Sequence, residues 1–382
     1  AAVEQASTAI VLASCPEMAP SYAREQSDAR AVKTLLALQS QSDAIQGLPV
    51  VAEVFDPNIR PLDAEIGRDS MIAFDSHDIL SRVMVQTSRS PGLAVVYDEM
   101  LSFEGNEIYF SEADVAGHTF AEAMLRFPQA MPIGFQQADG QIQVNPDHDH
   151  VMEPTERLLV LAEDDSTITF NGSAVAPTID REPTGERITR SQERYLIVGH
   201  TPRLPIVLDE MAKYLASGSQ VDIIPCRSQR LDLTTLDNLQ ADVDGLRLAH
   251  VDRNPLDPST WQDIDPRAYD SIVLLSDCDT SKSLDQGDSE TILVLLLIRQ
   301  VLGTGPDPGP TIVTELLDSA NQPLATSTGM YDFVISSRLV SMLLAQISEE
   351  HEMYSVYRNL LDEEGSEVYL KPMSLYLDEL PE

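Results

Sequence analysis

The chain repeats one stretch of its own sequence: ILSRVMVQTSRSPGLAVVYDEMLSFEGNEIYF at Ile79–Phe110 returns as LVSMLLAQISEEHEMYSVYRNLLDEEGSEVYL at Leu339–Leu370. The offset is constant, since Gln86 and Gln346 are 260 positions apart and the other identical pairs keep that spacing. A solenoid repeat has a period of about 20–50 residues. The much longer spacing here indicates two copies of a whole domain.

The repeated stretch has the pattern of a helix, a turn, a second helix and a strand. In the first copy, apolar residues at helical spacing predict a helix over Ile79–Ser88, and Pro91-Gly92 breaks it. A second helix is predicted at Leu93–Leu101, with Gly105 in the left-handed position that ends it. Alternating residues at Asn106–Phe110 predict the strand.

The duplication extends beyond this stretch. Ile10–Ser14 (IVLAS) aligns with Ile272–Ser276 (IVLLS) at an offset of 262, and Val51–Asp56 aligns with Val313–Asp318 at the same offset. The second copy carries three further strand–helix units before Ile272, and the first copy has no counterpart of them. We therefore expect the first domain to be truncated at its N-terminus and the second to lack most of its β-rich part.

Strands that alternate with helices predict parallel sheets. The predicted strands are Thr8–Ala13, Leu48–Phe55 and Ser70–Phe74 in the first copy and Arg194–Val198, Gln220–Pro225, Leu246–Val251 and Asp270–Leu275 in the second. A helix over Asp28–Gln41, with Asp28 as its N-cap, and a short helix opened by Trp261 are also expected. From Ser111 short strands dominate, and Asp139-Gly140 predicts a hairpin turn.

The predicted fold class is α/β, with two tandem Rossmann-like parallel-sheet domains and a small β-rich subdomain between them. We expect the truncated first domain with its helix–turn–helix at 1–110, the β-rich lobe at 111–170, a Pro-containing linker at 171–192 and the second domain at 193–382.

Composition excludes several classes of protein. The formal net charge is −37, which argues against nucleic-acid and anionic-membrane partners. The acids are spread along the chain, as in a solvated or salt-adapted surface, although such a charge also attracts cations. No window reaches about 18 uninterrupted apolar residues, so no membrane-spanning helix is predicted. The 3 cysteines lack a CxxC pattern and are expected to be reduced, as in the cytosol.

The turn after the first strand of a Rossmann-like domain is where a nucleotide would bind. A dinucleotide site needs the glycines of GxGxxG close to the pyrophosphate. Here Gly199 stands alone and Pro202 removes an N–H, so NAD is not expected in the second domain. Gly199, Arg203 and Asp277 are the candidate cofactor-binding residues, Arg203 for a phosphate and Asp277 at the sheet crevice. A solvated loop or a helix N-cap is the alternative for Asp277.

The duplicated Glu-Gly-x-Glu-x-Tyr motif is a candidate cation site. It places Glu104 and Glu107 around one turn and Glu364 and Glu367 around the other, and calcium prefers several carboxylate or carbonyl oxygens on such loops. The alternative is a solvated helix C-terminus. A second candidate pair, His148 and His150, lacks further ligands, so a surface turn is favoured there over a metal site.

Enzyme motifs are missing from the sequence. We find no nucleophile elbow, P-loop or HExxH motif, and the 7 histidines are scattered. Catalysis is therefore not expected.

Two Rossmann-like domains in tandem, each leading into a helix–turn–helix, resemble the RCK (regulator of potassium conductance, TrkA-like) modules of ion channels. More specifically, the first copy with its downstream FPQAMPIGF resembles the cytosolic region of the Castor/Pollux channel family. VDRNPLD, SIVLLSD and SMLLAQISEEHEMYSVYRNLLDEEGSEVYLKP resemble the second module of that family. The resemblance covers nearly the whole chain.

The resemblance implies a cytosolic gating ring on a cation channel, with the pore helices outside this chain and copies of the protein assembled around a four-fold axis. It also implies regulation by cations, calcium in particular. The helix–turn–helix would pair domains, and its apolar residues suit either that interface or packing on their own sheet: Leu80, Val83, Met84, Val340, Leu343 and Leu344. The alternatives are a soluble TrkA-like transport regulator and an NAD(P)-dependent oxidoreductase.

Overall fold

The computed structural model describes residues 5–40, 48–56, 71–103, 105–172, 191–199, 201–225, 233–276, 283–303, 309–327 and 332–372. By its internal contacts the chain divides into two units. The first combines Ala1–Val95 with Arg190–His351, and the second combines Val96–Thr189 with Glu352–Glu382. Both copies of the α/β domain therefore contribute to the first unit.

The first unit contains two parallel sheets. The first domain supplies β1 (Ala9–Val11), α1 (Ser21–Gln39), β2 (Val50–Val54), β3 (Met71–Asp75) and α2 (Ser76–Arg89). The second domain supplies β8 (Arg194–Val198), α5 (Leu204–Tyr214), β9 (Gln220–Ile224), α6 (Leu233–Asp242), β10 (Arg247–His250), α7 (Pro258–Ile264), β11 (Ser271–Leu274), α8 (Leu284–Leu302), β12 (Thr311–Leu316), α9 (Gln322–Ser327), β13 (Phe333–Ile335) and α10 (Ser336–Glu349).

Strand order in these sheets confirms the predicted parallel α/β fold. The first sheet has the order β1-β2-β3 and the second the order β10-β9-β8-β11-β12-β13, with parallel pairing throughout. The three strands of the first domain thus repeat the order of β11, β12 and β13. Central strands of such sheets are buried on both faces, which is why they consist of continuous apolar runs.

The second unit contains an antiparallel sheet. Its elements are α3 (Leu93–Leu101), β4 (Glu107–Ser111), α4 (Phe120–Met124), β5 (Ala130–Gln136), β6 (Ile142–Val144), β7 (Arg157–Ala162) and α11 (Met353–Leu361), and α3 begins in the first unit. The strand order is β4-β7-β5-β6. β5 and β6 form the predicted hairpin, and Gly140 in its turn has a φ of 85°, which glycine adopts at no steric cost.

Three local predictions are wrong. α1 begins at Ser21 rather than at Asp28, and its N-cap is Pro20, because Asp28 serves the end of β2 instead. Trp261 lies inside α7 rather than at its start. Gly105 does not adopt a positive φ; a Cβ there would collide with the carboxylate of Glu99, which occupies the space beside it.

The repeated helices are exchanged between the two domains. α2, from the first domain, packs against α5, β11 and β12 of the second, whereas α10, from the second domain, packs against β1 and β2 of the first. Leu80, Val83 and Met84 on α2 are at most 1 % exposed. Burying an aliphatic side chain of this size contributes about 1.5–3 kcal/mol. As whole elements, α2 packs on the second domain, whereas α10 packs both on the first domain and on β13 of its own sheet.

Candidate functional site

The candidate site lies in the first unit, where the turn after β8 meets the first domain. Gly199 ends β8 with a φ of 112°, and a Cβ there would collide with the backbone oxygen of Leu275. Its N–H donates to the carbonyl of Ile224 at 2.9 Å. The glycine is therefore required for a left-handed turn and for close packing against the strand end of β11.

Four residues later, Arg203 carries a buried positive charge. Its side chain has no exposed surface, and its Nε lies 2.7 Å from Oε1 of Glu17 in the loop after β1. Its Nη2 contacts Oε1 of Glu315 on β12, which is equally buried. Arg203 thus joins a loop of the first domain to the central sheet of the second.

Glu315 has further partners that hold it in place. Its Oε2 accepts the backbone N–H of Ser276 at 3.1 Å, and its Oε1 accepts the hydroxyl of Ser336 at 2.5 Å. The equivalent residue of the first domain, Glu53, accepts the backbone N–H of Ala13 at 3.0 Å. The duplication therefore reproduces, in both domains, a carboxylate that accepts a backbone N–H from the loop after the neighbouring strand.

Glu17 is the most perturbed acid of this site. Burial raises its pKa to about 7, against the attraction of Arg203, and the negative charges of Glu315 and Glu53 add to the effect. Burial and the charges of Arg203 and Arg24 lower the pKa of His77 to about 3, so the imidazole is neutral at physiological pH.

The position of His77 follows from two contacts. Its Nδ1 lies 3.3 Å from Nη1 of Arg24 and its Nε2 lies 3.8 Å from Oε1 of Glu17. Because arginine is only a donor, Nδ1 accepts and the ring proton sits on Nε2, facing Glu17.

A second pair of duplicated acids holds the ends of β2 and β12. Asp28 accepts the backbone N–H groups of Phe55 and Asp56, both at 3.1 Å. Asp288, 260 positions later, accepts those of Leu317 and Asp318 at 2.8 and 2.9 Å. Burial raises the pKa of both carboxyls, and the backbone donors oppose the rise.

Sequence reasoning missed Glu17, Asp28, Asp288 and the role of the pair Glu53 and Glu315. A signal was present for Asp28 with Asp288 and for Glu53 with Glu315, because these acids recur at the repeat offset. Glu17 had no such signal, since it lies in a polar loop.

The predicted nucleotide residues are only partly described. Gly199 and Arg203 lie in one turn, and Asp277 falls outside the described residues. The guanidinium of Arg203 is already paired with two carboxyl groups, those of Glu17 and Glu315.

The predicted cation residues lie in the second unit, and Glu104 falls outside the described residues. Glu107 is half-buried on β4, Glu364 is exposed, and the hydroxyl of Tyr369 donates to Glu367. Across the part of the chain that the structure describes, no three His, Cys, Asp or Glu side chains are placed to hold a metal ion.

The two predicted surface histidines lie in the second unit. His148 is exposed in a turn. His150 stacks on Phe135 with ring centroids 4.3 Å apart and contacts Glu156 at 2.9 Å.

Comparison with known proteins points to ion channels. Residues 77–180 match the model of a family described as "Castor and Pollux, part of voltage-gated ion channel". The probable ion channel CASTOR of Oryza sativa subsp. japonica is 29% identical over 93% of this chain and 43% of its own length. The ion channel CASTOR of Lotus japonicus is 28% identical over 93% of this chain and 45% of its own length. The chain thus spans less than half of the length of these relatives.

A solved structure shares the fold. The human SLO3 gating ring superimposes with a TM-score of 0.63 at 14% sequence identity, covering 94% of this chain and 73% of that one. No helix among the described residues has the length and apolarity needed to cross a bilayer. In sequence the chain is similar to the Castor and Pollux ion channels over nearly all of its length, and its tandem Rossmann-like fold is shared with the human SLO3 gating ring.

Proposed function

We propose that this chain is a cytosolic, ligand-sensing module of a gating ring, and that it regulates the pore of a cation channel of potassium or calcium type. The observation that carries the proposal is the relationship to CASTOR channels across 93% of the chain. The role is regulatory rather than catalytic. The exchange of α2 and α10 between the domains supports it, since neither domain can move without displacing a helix of the other.

The proposed mechanism is a shift of population between two arrangements. A ligand changes the equilibrium only by the difference of its affinities for them, and a shift from 1:99 to 99:1 needs a preference of about 10⁴-fold. The chain passes from the first unit to the second within α3 and again between α10 and α11.

Self-assembly is part of the proposal. Apolar side chains are exposed on α8 and α9: Leu293 and Leu296 are 45% exposed and Leu324 is 61% exposed. A ring of several copies would cover these residues. We propose calcium as the ligand, with Glu104, Glu107, Glu364 and Glu367 as candidate contacts, and no NAD in the second domain.

The test is electrical recording from the full-length protein that carries this segment, reconstituted in a planar bilayer with Ca²⁺ added to the side that this segment faces. We expect a cation current whose open probability changes with Ca²⁺. Met84→Ala, which trims the exchanged helix, is expected to move the Ca²⁺ midpoint without changing single-channel conductance, and Leu125→Ala, at an exposed position, is the matched control. A folded protein that conducts no cations would contradict the proposal and favour a soluble regulator.

A further inference from the structure

The loop after β1 bridges the two domains of the first unit at two neighbouring residues. Glu17 contacts the guanidinium of Arg203 in the second domain. Met18, the next residue, is buried against Leu317 at the end of β12. The loop is anchored on its own side by the bond from the Ser14 N–H to the Ser27 hydroxyl, 2.8 Å long. The position of this loop therefore depends on whether the two domains are in contact.

Charge is unevenly balanced at this contact. Glu17 and Glu315 share the single guanidinium of Arg203, and both contacts are to their Oε1 atoms. Glu53 on β2 adds a third carboxylate to the field around Glu17, and Arg24 on α1 adds a second cation. His77 on α2 is neutral. In the contacts themselves, two carboxyl groups share one guanidinium, and one proton would balance the three groups.

The proton is expected on Glu17 rather than on Glu315, because Glu315 accepts hydrogen bonds from the Ser276 N–H and the Ser336 hydroxyl that stabilise its ionised form. The pKa of Glu17, about 7, lies above the ordinary value of 4.5, because burial outweighs the attraction of Arg203. When the loop leaves the interface, water restores the ordinary value. A carboxyl whose pKa is raised in the packed state favours that state at low pH, and the preference is lost as the pH rises through the raised value.

We propose that Glu17, Arg203 and Glu315 form a proton-operated latch between the two domains: protonation of Glu17 holds the loop Leu12–Pro20 against the second domain, and deprotonation releases it. This latch does not depend on the proposed channel role. The ligand is the hydrogen ion, and the group that binds it is the carboxyl of Glu17.

Hydrogen–deuterium exchange of the whole chain tests the latch. After correction for the intrinsic exchange rate, we expect peptides covering Leu12–Pro20 to be more protected at about pH 6 than at about pH 8, with a closed-to-open ratio that changes by up to about tenfold per pH unit. Glu17→Gln keeps an oxygen that accepts from Arg203 and cannot ionise, so its loop should be protected at both pH values. Glu25→Gln, at an exposed position on α1, should behave like the wild type.

Infrared difference spectra provide a second measurement. The wild type should gain the carbonyl stretch of one protonated carboxylic acid on acidification through about pH 7, and Glu17→Gln should lack it. Met18→Ala weakens the other contact of the loop, so the midpoint should move toward the ordinary range of glutamate. Any of three results would overturn the proposal. The wild-type loop could be equally protected at both pH values, the carbonyl band could persist in Glu17→Gln, or the pH midpoint of that band could be unchanged in Met18→Ala.

Discussion

Arg203 and Glu315 form an ion pair between atoms Nη2 and Oε1 although 112 residues separate them in sequence, and neither side chain has any exposed surface. Removing two charges from water costs several kcal/mol per ion, and mutual attraction offsets this only when both partners are present. The same guanidinium holds Glu17 of the first domain. Stability of the second domain and contact with the first therefore depend on one residue.

Removing only one charge of this pair should be costly. We expect Arg203→Met to lower the free energy of unfolding by about 3–5 kcal/mol, because it leaves Glu315 as an uncompensated buried charge. The double variant Arg203→Met, Glu315→Gln should recover part of the loss, as measured by urea unfolding. Arg247→Met, at an exposed position, is the control. Equal losses in the single and the double variant would contradict a direct pairing.

The duplicated carboxylate Asp288 should stabilise the end of β12 through its backbone partners. Asp288→Ala leaves the N–H groups of Leu317 and Asp318 without their acceptor, and each buried unsatisfied group costs about 1–3 kcal/mol. We therefore expect the midpoint temperature of thermal unfolding to fall. Asp28→Ala should act on β2 in the same way, whereas Asp237→Ala, exposed on α6, should have little effect.

The pH dependence of the Asp288 contribution has a defined sign. Burial raises its pKa in the folded protein, so its contribution is greatest below the unfolded value and falls as the pH rises through the folded one. Asp288→Asn should remove this dependence. A wild type and an Asn variant with parallel stability–pH curves would show that Asp288 does not titrate in this way.

Self-assembly should depend on the exposed leucines of α8. A double variant, Leu293→Glu and Leu296→Glu, places charge on the face that we propose copies of the chain to share, and its molar mass by light scattering should fall to that of one chain. Leu125→Glu, on an exposed site of the second unit, should leave the assembly unchanged. An oligomer that survives the double variant would place the interface elsewhere.

Calcium binding can be measured by titration calorimetry. We expect CaCl₂ to give a binding heat that is lost when Glu107→Gln and Glu367→Gln are combined, because each removes a carboxylate ligand. Asp149→Asn, at an exposed surface position, is the control for nonspecific attraction to the acidic surface. No heat in the wild type, or unchanged heat in the double variant, would exclude these glutamates as the site.

The acidic surface should make stability depend on salt. With a net charge of −37, self-repulsion opposes compaction, and raising the ionic strength from about 0.1 M to about 1 M shortens the Debye length from about 10 Å to about 3 Å. Thermal unfolding in KCl should therefore shift to higher temperature. Sucrose at matched osmolality serves as the uncharged comparison, and a midpoint unaffected by KCl would contradict a dominant role for repulsion.

Much of the fold can be predicted from local patterns. Continuous apolar runs place β8 and β11 within a residue of their observed limits, and the Asp139-Gly140 turn places the hairpin of β5 and β6. Local pattern fails at Asp28, because a carboxylate ahead of apolar residues at helical spacing resembles an N-cap. Its actual partners are the N–H groups of Phe55 and Asp56, just after β2 and 27 or 28 residues away in sequence.

The sequence by itself determined that the chain contains two copies of an α/β domain, because a constant offset between identical residues and the alternation of strand and helix are properties of residue order. Only the tertiary structure decided where the repeated helices pack and what Arg203 binds. The apolar stripe of α2 fits either sheet equally well, and a lone arginine fits either a phosphate or a carboxylate. In the folded chain, Glu315 on β12 and Glu17 in the loop after β1 both contact Arg203. These contacts among residues distant in sequence show that Arg203 binds carboxylates.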